Sequence, residues 1–356
     1  MINLEENKLY FYLNKNKLIE NFNNYNRLGN VYYPLKTNSN EIIIKELKSL
    51  DNSNFLISSI YHFELLKKLD VNTCKIGCMN VCLENETVKY LYNSGVRFFT
   101  FDNYSSLVEF SKYANLKNVK ILIRLSTTEI FSNKFTHLGA NLKETLKMIS
   151  YLEDKSNQYG ISFYIQKDLK SEEKIINKIF NYIKENLSDL GVSFVNIGGV
   201  EENIADYENI LQNFKEEFKI DNINLEIGRY LVEDTISMKT RIIREKLVNN
   251  TKTIIMKNGI YSGFFDLILY NRKFDIYLLV KNKEIKLNYE KESPEDYEFV
   301  LCGGAGDSAD KIGLMYINSE YKDYLQVGAE LCIKNVGAYF EEFFMKYSSD
   351  LEKIFI

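Results

Sequence analysis

The sequence predicts an α/β protein, a (β/α)8 barrel followed by a smaller, all-β C-terminal domain. Three observations carry this. Between residues 30 and 230, eight short apolar runs alternate with longer segments whose apolar residues recur at three- and four-residue intervals. From residue 240 onward the helical periodicity fades and short β-type runs are separated by polar loops. A chain of 356 residues can bury one barrel core and a second, smaller one.

The eight runs, in order, are Val31–Leu35, Asn54–Ser58, Lys75–Cys78, Arg97–Phe101, Val119–Leu125, Ile161–Ile165, Ser193–Ile197 and Asn224–Ile227. Near-continuous apolar runs suit parallel strands buried on both faces, and eight of them alternating with helices is the arithmetic of a closed barrel. Helical patterns fall between them, at Glu41–Leu50, Glu84–Asn93, Leu142–Glu153, Lys174–Asn186 and Glu208–Phe218. An open doubly wound sheet is the alternative, disfavoured because no GxGxxG turn follows the first run. Pro34 removes a ladder donor, which is tolerable only near the end of a strand. The run Leu9–Leu13 is expected to add a strand to the barrel. In the second domain, strands are expected at Thr240–Leu247, Thr251–Met256, Phe274–Val280, Tyr297–Cys302 and Glu330–Lys334. The expected division is a barrel over 26–236, with 1–25 grouped with 237–356.

Composition excludes several classes of function. A net charge of -4 leaves no basic surplus for nucleic acid. No stretch approaches the roughly 20 apolar residues that span a bilayer, and the N-terminus lacks the basic-then-apolar form of a signal peptide. Five cysteines do not make a disulfide framework in a chain this long, so the cytoplasm is the expected compartment. Cys74, Cys78 and Cys82 share a four-residue spacing, but it matches no zinc pattern and His62 and His137 are remote. The thiols are expected to be small core residues, with no metal bound.

Barrel active sites lie at the C-terminal ends of the strands. Those ends carry Lys36 after the first run, Arg124 in the fifth, Tyr164 in the sixth, Gly198-Gly199 after the seventh, and Glu226 with Gly228-Arg229 after the eighth. First and last strands are neighbours in a closed barrel, so Lys36 and Glu226 should face one mouth. A lysine expected to be desolvated there is a competent Schiff-base former. Pyridoxal 5'-phosphate needs such a lysine for its aldehyde, an acid for its pyridine nitrogen and an anion site for its phosphate. Glu226 supplies the acid. Bare backbone amides at the glycines, with the Arg229 guanidinium, suit the phosphate. Taken singly, each residue has an ordinary explanation: a solvated lysine, a turn, a structural ion pair. Their convergence on one mouth points to the cofactor.

Six short motifs, in one order and spread over nearly the whole chain, resemble those of the fold-type III pyridoxal-phosphate decarboxylases, which include ornithine, arginine and diaminopimelate decarboxylases. Tyr33-Pro34-Leu35-Lys36-Thr37-Asn38 looks like the lysine motif, and Gly160-Ile161-Ser162-Phe163 like the approach to the ring-stacking residue. Asn196-Ile197-Gly198-Gly199 resembles the glycine loop, and Glu226-Ile227-Gly228-Arg229-Tyr230 the pyridine and phosphate motif. Gly303–Asp310 is similar to the segment that the second subunit donates, and Gly337-Ala338-Tyr339 to a phosphate-contacting tyrosine motif. The resemblance implies an alanine racemase-like barrel architecture, a head-to-tail homodimer with shared active sites, and a place in amino-acid or polyamine metabolism.

The sequence also departs from the family. Tyr164 stands where the family stacks a histidine, Gln166 and Lys167 replace a Gly-Ser pair, and Val200 replaces the third glycine. Gly306 replaces the cysteine that helps protonate the product, and Cys302 lies four residues upstream, too far to substitute without a shifted loop. That leaves Tyr164, Lys36 or water to deliver the proton. For the substrate, Asp307 matches the acid that meets a distal amine, and Asn258 stands where ornithine decarboxylases have a second acid. Asp266 falls where diaminopimelate decarboxylases carry an arginine, so that substrate is disfavoured. The leading reading is a decarboxylase of a basic or amine-bearing amino acid, or of a larger metabolite carrying a carboxyaminopropyl group. The other is a non-catalytic homologue that regulates by binding a partner. Racemisation is weaker, for want of a second base.

Overall fold

The structure is a computed structural model that describes residues 8–128, 130–131, 137–164, 172–187, 191–199, 208–218, 220, 222–345 and 351–356. Gln166, Lys167 and Val200 lie outside the described residues. The chain divides into two compact units, Ile19–Tyr230 and Met1–Leu18 with Leu231–Ile356.

The chain enters through strand β1 (Lys8–Leu13) and helix α1 (Lys15–Asn26). Eight strands then follow: β2 (Asn30–Pro34), β3 (Asn54–Ile57), β4 (Ile76–Cys78), β5 (Phe98–Phe101), β6 (Lys120–Arg124), β7 (Gln158–Tyr164), β8 (Phe194–Gly198) and β9 (Asn222–Glu226). Helices α2 (Glu41–Lys48), α3 (Ile60–Lys68), α4 (Asn85–Asn93), α5 (Tyr104–Ser111), α6 (Leu142–Leu152), α7 (Glu172–Leu187) and α8 (Glu208–Phe218) alternate with them. Every neighbouring pair is parallel, and β9 pairs back onto β2, closing the barrel. Pro34 is the last residue of β2, and the amide of Leu35 resumes pairing by donating to the Leu56 carbonyl at 3.0 Å.

The barrel interior is packed, not hollow. Tyr32, Leu56, Phe98, Leu122 and Phe194 form a buried cluster from five strands, with Met79 against it. Such large rings fit because their neighbours are small. A Cβ built on Gly160 would lie 2.4 Å from the Phe194 carbonyl oxygen and 2.7 Å from its ring, so the first residue of the Gly160–Phe163 motif is fixed by packing. Helix starts are capped by short polar side chains. Asn40, Ser59, Asn103 and Asn141 each accept an amide of the first turn of α2, α3, α5 and α6, satisfying donors the helix leaves unpaired.

The other unit begins after the short helix α9 (Arg229–Val232). It contains β10 (Ile236–Val248), β11 (Thr251–Met256), α10 (Phe265–Tyr270), β12 (Asp275–Val280), β13 (Lys283–Leu287), β14 (Asp296–Cys302), β15 (Lys311–Asn318), β16 (Glu330–Lys334) and β17 (Glu352–Phe355). The sheet order is β13-β12-β16-β10-β11-β14-β15, mostly antiparallel, with β1 pairing β10 and β17. β12 alternates buried and partly exposed residues, the pattern of a sheet with one face on a core.

Three expectations are corrected. Leu9–Leu13 adds no strand to the barrel: the ring is already closed by β2 and β9, and β1 instead gives its edge to β10 and β17. The second unit is not wholly β, because α10 interrupts it. Of the three spaced cysteines only Cys78 is buried. Cys74 lies in a turn before β4 and Cys82 in the loop after it, and both are exposed. Among the described residues, no three His, Cys, Asp or Glu side chains are grouped to hold a metal, and no helix is long and apolar enough to cross a membrane.

Candidate active site

The C-terminal ends of the barrel strands gather a small set of polar groups. Glu226 is the last residue of β9, in register with Tyr32 of β2 on one side and Gly198 of β8 on the other. Its Oε1 accepts a hydrogen bond from Asn196 Nδ2 on β8. Its Oε2 lies 3.1 Å from where a Cβ would stand on Gly198, so a side chain there would crowd the carboxyl. Burial pushes the Glu226 carboxyl up from the ordinary carboxylate range. The charges of Lys36 and Arg124 and the Asn196 hydrogen bond pull it back toward ionisation. Two cations from other strand ends therefore act on one half-buried acid.

The motif after β2 and the motif after β9 are packed into each other. A Cβ on Gly228 would lie 2.3 Å from Thr37 Oγ1 and 3.2 Å from the Pro34 ring. Thr37 and Asn38 are fully buried, and Tyr33 donates its hydroxyl to the Asn38 carbonyl at 2.7 Å. The turn that carries Lys36 is thus pinned on both sides. Lys36 itself is exposed, between buried Leu35 and buried Thr37. This corrects the expectation that it is desolvated: the turn's buried positions are taken by its neighbours.

The remaining barrel candidates fall at the same end. Arg124 closes β6 and is half-buried, in register with Ser162 of β7. Tyr164 ends β7 opposite Gly198 and is exposed. Gly199 follows β8 with a left-handed φ of 76°. Arg229 is buried and opens α9 directly after Gly228. Asn196 and Thr37 lie in the glycine-loop and lysine motifs, at positions that carry no recognisable chemistry of their own in the sequence. The signal was present in their position, two residues before Gly198 and next to Lys36.

Asn258, Asp307 and Tyr339 belong to the β-rich unit. Asn258 is fully buried, and neither its amide nitrogen nor its oxygen has a partner among the described residues. Asp310, also buried, organises this region. Its Oδ1 accepts the Ile260 amide at 2.6 Å, its Oδ2 accepts the Ala305 amide at 2.9 Å, and its carbonyl accepts the Gly303 amide at 2.7 Å. A Cβ on Gly259 or Gly303 would come within 2.1 Å or 2.3 Å of that carboxylate. One acid and two glycines thus knot the loop holding Asn258 to the loop holding Asp307. Between the knot's anchors, Gly306, Asp307, Ser308 and Ala309 are exposed. Cys302 ends β14, where burial pushes its thiol up, so it holds its proton. Asp266 is buried in the first turn of α10. Tyr339 has a left-handed φ of 55°, and a Cβ on Gly337 would lie 1.7 Å from the Val232 carbonyl, so the glycine of that motif is fixed by a close approach of backbone.

Residues 15–233 match the family model for the pyridoxal binding domain of pyridoxal-dependent decarboxylases. Antizyme inhibitor 2 of Homo sapiens is 24% identical over 345 residues, covering 86% of this chain and 71% of its own. The lysine/ornithine decarboxylase of Selenomonas ruminantium is 22% identical over 324 residues, covering 87% and 78%. Among solved structures, the arginine decarboxylase of Paramecium bursaria Chlorella virus superposes with a TM-score of 0.81 at 20% identity, over 99% of this chain and 97% of that one. A barrel closed by eight parallel strands, an acid and a lysine at its mouth, and a match over more than half the sequence agree: the chain belongs to the pyridoxal-dependent decarboxylase family, as a divergent member.

Proposed function

We propose that the protein binds pyridoxal phosphate at the barrel mouth and decarboxylates a basic, amine-bearing amino acid. The observation that carries this is the half-buried Glu226 carboxyl, acted on by Lys36 and Arg124, with the bare Gly198 against it. An amine, an acid, buried Arg229 and glycine backbone are the donor set the cofactor requires, so the residues fit the group. When bound, the cofactor supplies an aldehyde and a protonated ring that takes up the electron pair of the departing carboxylate.

The chain's own residues do the rest. Lys36 Nζ is the amine that holds the cofactor covalently. Glu226 keeps a proton at the ring nitrogen. Gly198, Gly199 and Gly228 offer backbone without side chains to the phosphate, beside the Arg229 guanidinium, with Tyr339 contributing as the family resemblance implies. Tyr164 stacks in place of the family histidine, and its hydroxyl, Lys36 or water returns the proton to the product. Asp307 meets the distal amine, and Asn258 stands where ornithine decarboxylases have a second acid. The exposure of the Gly306–Ala309 segment supports a head-to-tail homodimer in which this loop completes the partner's site. Relatives named for arginine, lysine and ornithine decarboxylation favour a basic substrate, and the acid at position 266 disfavours a second carboxylate.

The test has two arms. Purified protein mixed with pyridoxal phosphate should develop a visible absorption band that Lys36→Ala abolishes. Incubation with arginine, lysine, ornithine and carboxylated polyamines should then release carbon dioxide from at least one of them. Cofactor binding without release from any would favour the second reading, a binding homologue. That reading is favoured by the likeness to a protein named as an antizyme inhibitor, and by Tyr164 and Gly306.

A further inference from the structure

We infer that Asn196 is the positioning residue for Glu226, fixing Oε1 so that Oε2, on the Gly198 side, is the oxygen available to the cofactor ring. This deepens the proposed function and rests on it.

Asn196 is fully buried, at 0% exposure in the middle of β8, with Ser162 and Asn224 beside it in register on the adjacent strands. Its Nδ2 donates to Glu226 Oε1, while its own Oδ1 has no partner among the described residues. With Glu226 ionised that arrangement is the favoured one: a carboxylate only accepts, so an amide turned the other way would set acceptor against acceptor and leave its NH2 unsatisfied in the core. Glu226 is therefore held by its Oε1, and Oε2 is left where Gly198 has no side chain to cover it.

The chemical identity of the residue matters as much as its place. The charged groups acting on Glu226 are Lys36, beyond β2, and Arg124, at the end of β6. With an amide at 196, Glu226 is the only group in that contact that can lose a proton, and it titrates as one site. An aspartate of the same shape would put two carboxyls in contact, which share a proton and lose the second only at higher pH. Asn196 fixes the proton count of the mouth as well as the rotamer of its acid.

The experiment compares wild type, Asn196→Ala and Asn196→Asp, all purified without cofactor. Each is titrated with pyridoxal phosphate across a pH series, and the dissociation constant and visible spectrum are followed. Loss of a hydrogen bond to a charged group predicts cofactor binding weaker by roughly 10- to 100-fold in Asn196→Ala. Asn196→Asp should shift the pH transition of the bound cofactor's spectrum upward and recover affinity as pH falls. A purely structural role would leave that transition unmoved. Should Asn196→Ala fail to fold, the near-isosteric Asn196→Asp still supplies the deciding pH profile. Wild type that takes up the cofactor while Asn196→Asp shows the same affinity and the same pH transition overturns the inference alone. Wild type that binds no cofactor overturns the functional reading with it.

Discussion

At the barrel mouth, candidate site residues are carried on strands whose positions are set by eight parallel ladders, whereas in the β-rich unit two loops are joined at one buried residue, Asp310. Glu226, Arg124 and Gly198 cannot move along their strands without breaking register with both neighbours. The loops of Asn258 and Asp307 are joined instead through two amides that reach the Asp310 carboxylate and one that reaches its carbonyl. The barrel therefore spreads the burden of holding its site over many hydrogen bonds, and the loop knot concentrates it. Substitutions at the mouth should change binding more than folding. Substitutions in the knot should do the reverse.

The largest expected effect is in the knot. Asp310→Ala strands the Ile260 and Ala305 amides, costing about 2–6 kcal/mol at roughly 1–3 kcal/mol per buried unpaired group. Gly303→Ala drives a methyl into the same carboxylate and should cost about 3 kcal/mol. Urea melts of the two variants and of their combination check this. Because both disrupt one contact, the double variant should lose much less than the sum. Simple additivity would show that the knot is not a unit.

At the mouth, Gly228→Ala sets a Cβ against Thr37 Oγ1 and should cost about 2 kcal/mol. Thr37→Ala removes that oxygen and should restore part of the stability, and cofactor binding should recover with it. Rescue of stability without rescue of binding would break the idea that the two motifs form one site.

A smaller effect attends Glu226, because Lys36 and Arg124 offset part of its burial. Its folded carboxyl titrates above the unfolded one, so the folded state holds the proton more tightly. Its contribution to stability is present below the ordinary carboxylate range and is lost as pH rises through the raised value. In cofactor-free protein, Glu226→Gln should flatten this decline, read as a shallower fall of Tm with rising pH. A steeper fall would mean the cations dominate.

Much of this architecture is written in the sequence, for identifiable reasons. The barrel strands are legible because burial on both faces leaves continuous apolar runs such as Phe98–Phe101. The site's place follows from closure, which brings residues 36 and 226 to one end. β13 is hidden because its residues Lys283, Glu284 and Lys286 are polar and exposed, and β15 because Gly313 interrupts an otherwise alternating run. The knot is invisible because nothing local marks Asp310 as a buried acceptor for amides five and fifty residues away. Asparagine abundance, readable only as a compositional bias, acquires a use: with only 2 prolines, asparagine caps helices and takes left-handed positions at Asn52, Asn249, Asn250, Asn271, Asn282 and Asn335.

The smallest effect is expected at the tip of the knotted loop. Gly306 has a φ of 76°, and nothing lies within 4 Å of where its Cβ would stand. A cysteine there would meet no clash and pay only for the left-handed backbone, about 1–2 kcal/mol. The left-handed backbone at position 306 favours glycine over the cysteine of the family. If the loop completes a partner's site in the same conformation, Gly306→Cys should fold, lose no more than that amount, and leave the rate and products of decarboxylation unchanged. If the variant instead accelerates product protonation, the loop can return to the family's geometry, and the concentration of structural burden on Asp310 is looser than its hydrogen bonds suggest.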